Sequence, residues 1–163
     1  NIGASVTSMT MMTDGVTSFT RDITIGGNQI TEEIQKKLGI TREEAESFKT
    51  GNVAEGAAII PKDVNDITCQ VSELIANEIK RSLAFFYETS GRDRVDKLFL
   101  CGGVVKNSST LRVLEKTIGE RIQIANPFEG MQYNKKLYSR ESLDELSLES
   151  AVALGLALRR NVE

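Results

Sequence analysis

The 163-residue chain carries 20 Lys and Arg against 23 Asp and Glu, a net charge of −3, with 40% apolar residues. This is the balance of one globular domain, or of one domain with a smaller lobe, and it offers no basic field for nucleic acid. The absence of histidine removes the commonest metal ligand and the commonest general base.

Residues 5–12 and 16–25 are rich in Thr, Val, Ile and Phe, as strands prefer, and Asp14-Gly15 between them supplies the positive φ angles of a tight hairpin turn. Met9 and Met11 fall on one face of the first strand; Ser8, Thr10 and Met12 fall on the other. Gly26-Gly27 breaks the second strand, and Asn28 is placed to cap a helix over 28–38 whose Ile30, Ile34 and Leu38 form one buried stripe. Gly39 ends it. Thr41-Arg42-Glu43-Glu44 has the form of a capping box opening a short helix over 41–49. Residues 51–60 read as a linker.

After Pro61 the longest periodic segment, 62–89, repeats Val64, Ile67, Val71, Ile75, Ile79, Leu83 and Phe86 at helical spacing, and Ser90-Gly91 stops it. Residues 95–101 end in an apolar run like a strand buried on both faces. Gly102-Gly103 follows, then a helix carrying Leu111, Leu114 and Ile118, then a strand over 121–125: a βαβ unit with parallel strands. Residues 129–143 are polar and irregular and read as a loop. A last helix is expected over 147–160, with Ala151 and Gly155 small enough to lie against another backbone. Cys69 and Cys101 have neither disulfide nor zinc spacing and read as buried, reduced thiols of a reducing compartment. The longest apolar-plus-glycine run, 151–158, is far short of the ~18 residues of a membrane span. Asn1 is not an initiator methionine, so upstream sequence is expected.

Glycine turns at Gly3, Gly26-Gly27 and Gly102-Gly103 each stand at the end of an expected strand. Glycine there frees backbone N–H groups to point at an anion, and a following helix adds its positive end, so the three together point to a nucleotide cleft at the sheet's carboxyl edge. None has the Walker or dinucleotide spacing. Ser5 and Thr7 either donate hydroxyls to a phosphate or a metal's water, or face solvent as strand residues. Glu46 and Lys49, three apart on one helix face, read by spacing alone as a solvated pair worth a few tenths of a kcal/mol.

These stretches together resemble the second half of an actin-like ATPase, and within that superfamily the PilM family of type IV pilus assembly. The resemblance is carried by Asn1-Ile2-Gly3-Ala4-Ser5-Val6-Thr7, by Asp14-Gly15 with Phe19-Thr20-Arg21-Asp22, and by Gly26-Gly27-Asn28-Gln29-Ile30-Thr31. Glu43-Glu44-Ala45-Glu46 with Lys49, Leu100-Cys101-Gly102-Gly103, Ala125-Asn126-Pro127-Phe128 and residues 153–159 complete it. It implies an α/β, actin-like (ribonuclease H-like) fold, with a hairpin-plus-parallel sheet flanked by helices. One subdomain would take 1–27 and 90–163, and a small helical one 28–89.

The resemblance further implies a cleft for ATP with Mg. Asn1, Gly3, Ser5 and Thr7 correspond to a phosphate loop, and Gly26, Gly27 and Asn28 to a helix end beside the nucleotide. Glu46 and Lys49 correspond to ribose and adenine contacts, and Gly102, Gly103 and Val104 to the adenosine motif. No catalytic or metal-ligating residue is assigned. Most relatives carry Asp where this chain has Asn1, so hydrolysis should be weak at most, since an amide brings no formal charge to Mg²⁺.

The implied role is a non-enzymatic cytoplasmic scaffold at the bacterial inner membrane, reached through partners. Those partners are the cytoplasmic N-terminal peptide of PilN and the pilus motor ATPases, with no nucleic acid. The alternatives are half of a superfamily phosphotransferase, which would need a catalytic Asp near the glycine turns, or an FtsA-type division scaffold, which would end in an amphipathic membrane helix. The family's first domain, with the other phosphate loop and most of the PilN groove, is expected to lie outside these residues. Residues 1–163 alone should therefore bind ATP weakly or undetectably in calorimetry; sub-micromolar affinity would overturn the half-site expectation.

Overall fold

The hairpin forms because β-prone residues, alternating inward and outward along the first strand, flank a turn that Asp14-Gly15 makes easy. Strands β1 (Thr7–Thr13) and β2 (Val16–Ile23) pair antiparallel, with Asp14 at φ 52° and Gly15 at φ 79°. Thr7, Met9 and Met11 point inward and are buried. The register slips between Met11 and Met12: Met11 pairs with Phe19 and Met12 with Thr17, so Ser18 is the extra residue of a bulge. Its hydroxyl lies 3.2 Å from the Met11 carbonyl and donates to it. The structure, a computed structural model, describes residues 1–52, 61–134 and 136–159.

Helices α1 (Gly27–Leu38) and α2 (Arg42–Thr50) follow. Asn28 does not cap α1. The N–H groups of Gly27 and Asn28 are already taken by the carbonyls of Gly3 (3.0 Å) and Ala4 (2.7 Å), so the Asn28 side chain is released to reach Ser5 and Arg42. The capping box of α2 is present: Thr41 N–H donates to the Glu44 carboxylate at 2.8 Å, and Glu44 N–H returns to the Thr41 hydroxyl at 3.3 Å. Of the expected linker, 53–60 lie outside the described residues.

Helix α3 (Lys62–Ser90) is the spine. Its apolar stripe takes α1 on one flank and α4 (Ser108–Ile118) on another. Buried Ser72 and Thr110 place their hydroxyls 2.9 Å apart across the α3–α4 contact, where small side chains permit close approach. The hairpin rests on the far end of α3 through Phe19, whose ring lies 5.9 Å from that of Phe85, and through an Arg21–Glu78 pair at 3.4 Å. At the same end the Tyr87 hydroxyl donates to Glu120 at 2.7 Å, and burial together with that carboxylate pushes the phenol up to about 12.

Strands β3 (Leu98–Leu100) and β4 (Ile122–Ile124) pair in parallel through α4, as a βαβ unit requires. The hairpin and the parallel pair, expected in one sheet, are among the described residues two separate ladders of two strands each. Residues 1 and 2 bridge them: Asn1 and Ser8 exchange backbone hydrogen bonds at 2.8 and 2.9 Å, while Ile2 N–H donates to the Cys101 carbonyl at 2.8 Å. Phe99 is 56% exposed, so β3 is covered on one face rather than two. Cys69 and Cys101 are free thiols, but half-buried rather than buried.

Helix α5 runs Arg140–Ala157, starting seven residues before the expected position. Ser139 caps it, accepting from Ser142 N–H at 3.1 Å. The first turns are mostly charged and bury only Leu143 and Ser147, a stripe too short to stand out as a helical period. Nothing lies within 4 Å of a Cβ built on Gly155, so the close approach expected there does not occur among the described residues.

Close backbone approach is real elsewhere. A Cβ on Gly102, at φ 106°, would overlap the Ile2 backbone, and one on Gly26 would stand 2.5 Å from the Gly3 carbonyl and 2.6 Å from that of Ala4. Gly102→Ala should cost about 3 kcal/mol in urea unfolding, from overlap and strained φ together. Gly155→Ala should be neutral or stabilise by about 0.5–1 kcal/mol; equal losses at both positions would contradict the packing described.

Candidate functional site

Four segments converge on one cleft of about 810 Å³: the first turn, the N-terminal end of α1, the C-terminal end of α2, and the short 3₁₀ turn Gly103–Lys106 with α5 behind it. That volume lies in the range of cofactor sites. Of the residues singled out in the sequence, Gly3, Gly27, Glu46, Lys49, Gly103 and Val104 line it. Asn1, Ser5, Thr7, Gly26, Asn28 and Gly102 stand behind or beside it. A second hollow, of about 450 Å³ between α1 and α3, is lined by charges largely paired among themselves, Lys36 with Glu33 and Lys37 with Asp63.

Three of the glycine N–H groups are spent inside the protein rather than offered to a ligand. The N–H of Gly3 is held by the Val6 carbonyl, that of Gly27 by Gly3 and that of Gly102 by Leu148. These donors face protein, and glycine is needed at Gly26 and Gly102 because backbones touch there. Thr7 is buried, neither solvent-facing nor free, and donates its hydroxyl to the Ile25 carbonyl at 2.8 Å. Ser5 remains exposed, 3.0 Å from the Asn28 amide.

Glu46 and Lys49 are more than a solvated pair. Lys49 Nζ lies 2.7 Å from Glu46 Oε2 and 2.9 Å from the hydroxyl of buried Thr31, and reaches the Gly27 carbonyl at 3.3 Å. Thr31 in turn donates to Glu46 at 2.7 Å. Only 15% of the Lys49 side chain is exposed, against 46% for Glu46. The cation is thus fixed at the cleft wall, while the carboxylate keeps a face to solvent. Partial burial works to raise the Glu46 pKa, but hydrogen bonds from Lys49 and Thr31, with the charges of Lys49 and Arg42, outweigh it and hold the carboxyl below its ordinary value.

Across the cleft, Lys106 pairs with Glu149 at 2.9 Å, and Asp144 and Glu145 add negative charge to the α5 wall. Both partners are about half exposed, so the pair itself adds little stability. The cleft therefore has a fixed cation on one side and a carboxylate-rich wall on the other. Glu46 neutralises Lys49 on its own wall, so the surplus charge of the cleft is that of Asp144 and Glu145, and an anionic group is disfavoured toward α5. Lys106, Asn107, Asp144, Glu145 and Glu149 escaped the sequence reading. Asp144 and Glu145 fall between the expected loop and the expected last helix, and Glu149 lies inside that helix without a signal that it faces a cleft, whereas Asn107 before Ser108-Ser109-Thr110 carried a helix-cap signal that was there to be read.

A family model described as type IV pilus assembly protein PilM matches residues 1–161. The chain belongs to the PilM family. Among solved structures, it is similar to a chain of a PilM–PilN type IV pilus biogenesis complex, at 30% identity and a TM-score of 0.80, over 97% of this chain and 44% of that one. The ethanolamine utilization protein EutJ from Carboxydothermus hydrogenoformans shares the fold at 17% identity and a TM-score of 0.67, over 97% of this chain and 46% of its own. The fold is that of an actin-like ATPase domain, as the resemblance implied, and the chain spans less than half the length of these solved chains.

The Glu46 network carries a pH signature with a definite sign. A carboxyl depressed by folding stabilises the fold above its ordinary value of 4.5, and that contribution is lost as pH falls through the lower folded value. Glu46→Gln should therefore flatten the loss of stability on acidification below 4.5, read by urea unfolding at stepped pH. An unchanged slope would mean that the network holds no such charge in solution.

Proposed function

We propose that this chain forms one half of a nucleotide-binding, actin-like scaffold in the inner-membrane assembly platform of type IV pili. The observation that carries the reading is the match to a chain of the PilM–PilN complex across 97% of these residues. On this reading PilN, through its cytoplasmic N-terminal peptide, is the partner, and the pilus motor ATPases are contacted by the same platform. On the same reading the protein works at the cytoplasmic face of the membrane, reached through its partners. No helix among the described residues is long and apolar enough to cross a membrane.

The nucleotide is ATP with Mg. The cleft fits it in size and in polarity: Gly103 and Val104 offer a floor without bulk, Glu46 an exposed carboxylate suited to sugar hydroxyls, and Lys49 a fixed positive charge. Bound nucleotide supplies phosphate charge and a bridge to the rest of the polypeptide. This chain's residues hold and orient it, and Asn1 contributes no charge to the metal. The output is conformational: a ligand that binds one arrangement of the halves more tightly shifts the population toward it, and with it the affinity for a partner peptide. Residues 1–27 with 90–163, and 28–89, are the two subdomains on this account.

Lys49→Ala in the protein at its full encoded length should weaken ATP binding about tenfold or more in calorimetry, consistent with loss of a charge-assisted contact of about 1.5–3 kcal/mol. Melting temperature should be recorded alongside, since Lys49 also braces Thr31 and Glu46. Unaltered ATP affinity would return Glu46 and Lys49 to a purely structural role.

A further inference from the structure

Asn107 sits where two helix ends of opposite polarity meet. Its Oδ1 accepts from the N–H groups of Ser109 (2.9 Å) and Thr110 (3.2 Å), closing the N-terminus of α4. Its Nδ2 donates to the Lys49 carbonyl at 3.3 Å, in the last turn of α2. Both helix ends carry backbone groups that their own helices cannot satisfy, donors on α4 and acceptors on α2. One amide answers both, with its negative end toward the positive terminus and its positive end toward the negative one.

The position gives this bridge a consequence for the cleft. Lys49 and Glu46 stand on the same turn of α2 whose carbonyl Asn107 holds, and Lys106, the neighbour of Asn107, stands on the opposite side paired to Glu149. Asn107 itself lines the cleft. The amide thus ties the wall bearing the fixed cation to the turn bearing Gly103 and Val104. A second link, Lys49 Nζ to the Gly27 carbonyl, joins α2 to α1, and Gly27 lies against the Val104 side chain of the 3₁₀ turn, but that contact is packing only and joins α2 to the turn by no direct hydrogen bond.

We infer that Asn107 is a positioning residue that sets the width of the cleft by clamping the C-terminal end of α2 to the N-terminus of α4. The part of this inference that concerns ligand affinity rests on the nucleotide-binding reading above; the clamp itself does not. Its chemistry demands an amide. A carboxylate caps a helix as well as an amide does, but it has no donor for a carbonyl and would repel it. Asn107→Asp therefore separates capping from clamping.

The test is hydrogen exchange by mass spectrometry on the protein at its full encoded length, wild type and Asn107→Asp, without ligand, followed by calorimetry with ATP and Mg. Exchange in the last turn of α2 should rise about tenfold in Asn107→Asp while the first turn of α4 keeps its protection, and ATP affinity should fall about tenfold at little change in melting temperature. Asn107→Ala should loosen both helix ends. Unchanged exchange in α2, or equal loosening of α2 and α4 in Asn107→Asp, would overturn the clamp. Loosened α2 with unchanged ATP affinity would overturn its role in the cleft. A wild type that binds no nucleotide would instead sink the reading of the cleft, with α2 exchange still deciding the clamp.

Discussion

The cleft floor depends on a single backbone crossing. Ile2, fully buried, donates to Cys101 on one side while its neighbour Asn1 pairs with Ser8 on the other, and Gly102 passes over the Ile2 backbone with no room for a side chain. Two-stranded ladders are marginal by themselves. This crossing converts two of them into one core, and it sets the first turn next to the 3₁₀ turn. Without it Gly3 and Gly103 would belong to separate hairpin-like units and no cleft would lie between them.

Charge in the cleft is organised by confinement. Lys49 could swing on a flexible four-carbon stem if it stood on an open surface, losing rotamer entropy whenever it made a contact. Here Thr31, Glu46 and the Gly27 carbonyl hold the ammonium with most of its surface covered. The cost of ordering it is met during folding, so a ligand arriving at this wall finds a charge already placed. The α5 wall is the looser case: its carboxylates are more exposed, with Glu149 paired to Lys106 and Asp144 to the Asn126 amide, and they leave that side of the cleft the more negative.

Much of the architecture was legible because it is written in local rules. The Asp14-Gly15 turn, the Thr41 capping box, the α3 stripe and the βαβ order follow from backbone chemistry and periodicity that act within a few residues. What escaped reading depends on distant partners. No local rule announces that the N–H groups of Gly27 and Gly102 would be consumed by the carbonyls of Gly3 and Leu148, which spends these donors on contacts between backbones. Nor does spacing reveal that Thr31, fifteen positions before Glu46, would close a network with Glu46 and Lys49. The start of α5 failed for a different reason: its first turns bury only Leu143 and Ser147 among charged neighbours, and so sparse a stripe does not distinguish a helix from a loop.

The bulge at Ser18 has a bearing on solubility. A hairpin with two unpaired edges is a template on which another strand can add. The extra residue breaks the regular spacing of backbone donors and acceptors along β2, increases the local twist, and spends the Met11 carbonyl on a side-chain hydroxyl. A chain lacking Ser18 would present a longer, flatter edge and would also turn Val16 and Thr17 to the opposite faces of the ribbon. The irregularity thus makes β2 a poorer template for a second strand than a regular ribbon would be, a consequence that no measurement of folding stability would register.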